Sequence, residues 1–69
     1  MGEKQPRLTA KEAESLLLLN GFAIDRQKGS HRIYIKNSYR MVIPHHSGDI
    51  LHPKIIKELL EVIEESKYY

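Results

Sequence analysis

The sequence predicts an α+β domain of order α-β-β-β-α, a three-stranded antiparallel sheet with both helices on one face. Three observations carry that expectation. Apolar residues recur at helical spacing near both ends of the chain. The middle alternates apolar and polar residues, as half-buried strands do. The runs of alternation are joined by two to four turn-forming residues, which suits an antiparallel meander.

The first helix is expected over residues 9–20. Thr9 with Glu12 three residues later forms a capping box, and Ala10, Ala13, Leu16 and Leu17 follow at helical spacing. Asn20-Gly21 stops it, because glycine adopts the left-handed cap conformation freely. Residues 22–26 alternate as a first strand, with a turn over Gln27-Lys28-Gly29-Ser30. Residues 31–36, HRIYIK, alternate most clearly. Asn37-Ser38 is the next turn, and residues 40–43 form a third strand ended by Pro44. A loop follows from His45 to Leu51. Pro53 suits the first position of a second helix over 53–66, with His52 or a neighbour as its cap.

The apolar stripes place Leu16, Leu17, Phe22, Ile43, Ile56, Leu59, Leu60 and Ile63 in the core. Ile33 and Ile35 are expected to face the helices with them. Arg32, Tyr34 and Lys36 would then line the open face of the sheet. Residues 1–8, polar and without periodicity, are expected to be a flexible arm, and residues 9–69 a single domain.

A chain of 69 residues buries a thin core, so a deep enclosed site is not expected; an open one, suited to a large substrate, is. Without cysteine it has neither disulfides nor thiolate metal sites, which fits a cytoplasmic location. No segment is apolar and long enough for a membrane span, and the N-terminus lacks the apolar core of a signal peptide. Net charge is only +2, but it is uneven. Between residues 26 and 54 six Lys or Arg stand against Asp49 alone, and all four histidines lie in the same stretch. Residues 55–69 carry four glutamates against two lysines. A basic, histidine-rich middle suits a polyanion such as nucleic acid.

His31 opens the central strand behind Gly29-Ser30. By parity it shares a face with Ile33 and Ile35, so one reading is an inert histidine at the rim of the core. The other is a functional imidazole, since the first residue of a strand can reach past the sheet edge and Gly29 puts no side chain in a ligand's way. His45, His46, Asp49 and His52 lack the spacing of a metal site, and no metal or other cofactor is expected. One of these histidines is better read as lining an anion site beside the second helix's N-terminus, or as having no role at all. There is no phosphate-binding loop, no dinucleotide fingerprint and no obvious carboxylate pair in the basic middle.

The succession Asn20-Gly21-Phe22, Gly29-Ser30-His31 and Val42-Ile43-Pro44-His45-His46, followed by a helix with Ile55, Ile56 and Leu59, resembles the HicA-type toxins over about residues 9–63. The resemblance implies a double-stranded-RNA-binding-domain-like fold, in agreement with the element order above. It implies an mRNA interferase, a ribonuclease whose partners are mRNA and a HicB-type antitoxin, and whose catalytic histidine is His31. His46 is a second candidate proton carrier. Lys28, Gly29, Ser30, Arg32 and Lys54 are the expected RNA-binding residues. One departure stands out: the family's Lys-Gly-Thr-like run at the second helix is here His52-Pro53-Lys54-Ile55, without glycine. The alternatives are a non-catalytic RNA-binding module and a protein-interaction domain using the same basic surface.

Overall fold

A computed structural model describes residues 6–46 and 48–68. The elements are α1 (Ala10–Leu19), β1 (Ala23–Lys28), β2 (His31–Lys36), β3 (Tyr39–Pro44) and α2 (Pro53–Ser66). The expected order and both helices are therefore found. β2 lies between β1 and β3, antiparallel to each.

Local chemistry explains the ends of the elements. The Thr9 amide donates to Glu12 Oε1 at 2.9 Å, and the Glu12 amide donates to Thr9 Oγ1 at 3.2 Å, completing the capping box. At the other end Phe22 N–H reaches Leu17 C=O at 2.9 Å and Gly21 N–H reaches Leu18 C=O at 3.2 Å. With Gly21 at φ +93°, this is a Schellman close, and it delivers Phe22 into the core. His52 caps α2 with its own ring, Nδ1 accepting from the Lys54 amide at 3.0 Å, and Pro53 opens the first turn.

The strands run slightly longer than the alternation suggests. β1 reaches Lys28 and β3 spans Tyr39–Pro44, so both hairpins have two-residue loops, Gly29-Ser30 and Asn37-Ser38. The first loop residue has positive φ in each, +61° at Gly29 and +55° at Asn37. Glycine takes that conformation without strain, and asparagine tolerates it. A bulge between Ile24 and Arg26 leaves Asp25 as the extra residue of β1.

The expected facing of β2 is reversed. Tyr34 is fully buried in the core with Leu17, Met41, Ile43 and Leu59, whereas Ile35 is 40 % exposed. Ile33 is buried too, but on the opposite face and outside that cluster. The reason lies in register. The tight loop pairs Lys36 with Tyr39, which puts Tyr34 beside Met41 and Arg32 beside Ile43. One face then carries Tyr34, Tyr39, Met41 and Ile43; the other carries His31, Ile33, Ile35, Arg40, Val42 and Pro44. The first buries more aromatic and apolar area. Its two cations keep favourable partners: Arg32 bonds Glu14, and Lys36 lies 5.9 Å from the Phe22 ring centroid. Leu60 is exposed and so leaves the expected core, whereas Leu16 is half-buried and packs against it. All six residues of β1 are exposed, and the core sits over β2 and β3.

Of the expected N-terminal arm, residues 1–5 lie outside the described residues. Leu8 packs against the core, and its carbonyl accepts from the Leu51 amide at 2.8 Å. Among the described residues no helix is long and apolar enough to cross a membrane.

Candidate functional site

The chain gathers its unusual residues at one end of the sheet. Lys28 and His31 close the first hairpin as direct cross-strand partners, and His31 pairs on its other side with Pro44. The ladder continues one step further, with the His45 amide donating to the Ser30 carbonyl. His46 follows. A cleft lined by Thr9, Ala10, Lys11, His45, His46 and Gly48 joins this end to the start of α1. A second, lined by Pro44, His46, Leu51 and His52 among others, joins it to the start of α2. All four histidines and both helix N-termini thus converge, and helix N-termini add positive potential.

His31 is exposed, on the open face with Ile33 and Ile35. Parity was right about its neighbours but not about which face the helices cover, so His31 is no rim residue of the main core. A Cβ built on Gly29 meets nothing within 4 Å, so the glycine is required there by its φ of +61° and not by crowding. Ser30 is exposed, and Lys54 lies exposed on the first turn of α2.

Arg32 is placed differently from the other expected RNA contacts. It lies on the helix-covered face, its Nη1 2.8 Å from Glu14 Oε2, with 34 % of its side chain exposed against 18 % for Glu14. The same Glu14 oxygen accepts from Tyr34 Oη at 2.6 Å, and that hydroxyl lies 2.9 Å from His45 Nε2. Glu14, Tyr34 and His45 therefore form a chain from α1 through β2 to the residue after β3, with Arg32 beside it.

The electrostatics of this chain are consistent. The bond from Tyr34, ahead of that from Arg32, holds the Glu14 carboxyl below its ordinary pKa, so it is ionised at neutral pH. Burial first, and Glu14 second, push the Tyr34 hydroxyl well above its ordinary range. Burial, and then the Arg32 charge, lower the His45 imidazole, which favours its neutral form. Among the described residues no group of three His, Asp or Glu side chains is arranged to hold a metal ion.

Neither Glu14 nor Tyr34 stood out in the sequence. Glu14 is 18 and 20 residues from its two donors, and no local pattern joins them. A carboxylate on the inner side of α1, beside the buried Ala13 and Leu17, is the available signal.

A family model described as the HicA toxin of bacterial toxin–antitoxin systems matches residues 10–64. No curated protein and no solved structure shows a significant match.

Proposed function

The chain belongs to the HicA toxins of bacterial toxin–antitoxin systems, and on that premise we propose that it is a metal-independent endoribonuclease that cleaves mRNA through His31. One observation supports this above the rest: an exposed histidine stands at the start of the central strand, paired with Lys28, at the end where the cations and helix N-termini collect. RNA carries its own nucleophile, so cleavage needs no deep pocket. It needs one group to take the 2′-hydroxyl proton, another to protonate the leaving 5′-oxygen, and cations for the phosphate. Imidazole, with an ordinary pKa of about 6.5, serves for either proton near neutral pH.

Lys28 is the residue best placed to hold the phosphate beside His31, and Gly29-Ser30 shape the approach. Lys54 and Lys11 extend the positive surface along the two helix starts. Arg32, engaged by Glu14, contributes its field and the ordering of its neighbours more than a free guanidinium. Members of the family act with an antitoxin. We propose that a HicB-type antitoxin covers Lys28 and His31, so that protein and RNA compete for one surface.

The test is RNA cleavage by the purified toxin in the presence of a chelator, with His31→Ala beside it. The wild type is expected to cleave, and the variant to lose about 10²–10⁴-fold in rate while keeping its circular dichroism and melting midpoint. A folded variant that cleaves at the parental rate refutes the assignment. A wild type that shifts RNA in a gel without cutting it refutes the enzyme.

A further inference from the structure

The hydrogen bonds around His45 fix which of its nitrogens carries the proton. Glu14 is ionised and can only accept, so Tyr34 must spend its single hydroxyl proton on Glu14 Oε2 at 2.6 Å. The Tyr34 oxygen is then an acceptor toward His45 Nε2 at 2.9 Å, and the neutral ring must be the Nε2–H tautomer. Nδ1 is left with its lone pair. It has no hydrogen-bond partner among the described residues, yet none of their buried side-chain nitrogens or oxygens lacks a partner. Nδ1 therefore meets solvent, and His45 lines the cleft beside Thr9, Lys11 and His46.

We infer that His45 is a second catalytic residue, its Nδ1 taking the 2′-hydroxyl proton of RNA while Glu14 and Tyr34 hold the ring from behind. This rests on the ribonuclease reading above. In the step, the O2′–H proton passes to His45 Nδ1, O2′ bonds to phosphorus, and the P–O5′ bond breaks. O5′ takes a proton from the His31 imidazolium. The products are a 2′,3′-cyclic phosphate and a 5′-hydroxyl, with no other reactant needed.

Entering and leaving oxygens lie roughly in line across phosphorus, so base and acid must approach from opposite sides. His31 and His45 suit that requirement. At one strand end His31 pairs with Pro44 and the His45 amide bonds the Ser30 carbonyl, His31 lying on the open face and His45 toward the helices. His46 is the weaker candidate, being exposed and with no side-chain hydrogen bond among the described residues to fix its ring. The groups around His45 are Glu14 and Lys11 from α1, Arg32 and Tyr34 from β2, and His46 in its own loop. Lys11 and Arg32 oppose a charged ring, and Glu14 favours one.

The decisive experiment pairs ¹⁵N NMR of the His45 ring with cleavage by His45→Gln and Tyr34→Phe. At neutral pH the wild-type ring is expected as the Nε2–H tautomer, with the Nδ1–H form appearing in Tyr34→Phe. Glutamine can still donate to Tyr34 but takes no proton. His45→Gln should therefore stay folded, lose about 10²–10⁴-fold in rate, and lose the acid limb of the pH–rate profile. An Nδ1–H ring in the wild type overturns the proposal, as does a folded His45→Gln that cleaves at the parental rate. In that last case His31→Ala remains inactive and the ribonuclease reading survives. A wild type that cleaves nothing overturns both.

Discussion

Replacing Tyr34 with phenylalanine removes one oxygen from the centre of the molecule and little else. The ring keeps its place in the core cluster that includes Leu17, Met41 and Leu59, so the loss falls on two hydrogen bonds. The bond to the ionised Glu14 is short, 2.6 Å, and bonds to charged groups contribute about 1.5–3 kcal/mol net. The bond from His45 is worth about 0.5–1.5 kcal/mol, part of which water in the adjoining cleft restores. A loss of about 2–3 kcal/mol is expected. For a domain of this size that lowers the melting midpoint by roughly 10–20 °C. In urea the midpoint should fall with the slope unchanged, since the buried surface is the same. A second measurement isolates the cause: in a Glu14→Gln background the same change should cost at least about 1 kcal/mol less, because the charged acceptor is gone. A shift below about 0.5 kcal/mol, or a cost unaltered in that background, refutes the account of the core.

Other outcomes follow from the same geometry. Glu14 has a depressed carboxyl pKa in the fold, so its contribution is present above the unfolded value near about 4.3 and lost as pH falls through the lower folded one. Urea midpoints measured from neutral to acid pH should therefore converge for wild type and Glu14→Gln. A residual slope should remain from His45, whose lowered pKa acts in the same direction. Gly29→Ala must hold φ at +61° and should cost about 1–2 kcal/mol in a thermal melt, although its Cβ meets no atom. Lys28→Glu should weaken RNA and antitoxin together, chiefly through slower association in a stopped-flow experiment. An equal loss at high salt would argue against the shared basic surface.

The element order was legible because its signals are local. A capping box, Asn20-Gly21, Pro53 and two tight loops each act within a few residues. The facing of the sheet was not, because it depends on pairs far apart. Read alone, HRIYIK points Ile33 and Ile35 inward. Only the register with β3 reveals that Tyr34 stands beside Met41 and Arg32 beside Ile43. Arg32 and Lys36 disguise their face further, since each lays a long stem against it and finds a partner on a helix or in Phe22. The same limit applies to the site. Gly29-Ser30-His31 and the loop histidines are contiguous and could be read. The difference between His45 and His46 is invisible without Tyr34 and Glu14.

The bulge in β1 bears on what the open edge of the sheet offers to another strand. β1 is an edge strand of six exposed residues, and an edge offers unpaired amides and carbonyls to any passing strand. The extra residue at Asp25 breaks the even spacing that such pairing requires. Asp25, 3.8 Å from Arg26, and Lys28 add exposed charges to the row, whose water a pairing strand would have to displace. The open edge of the sheet is thus charged and irregular where a flat apolar strand would invite pairing.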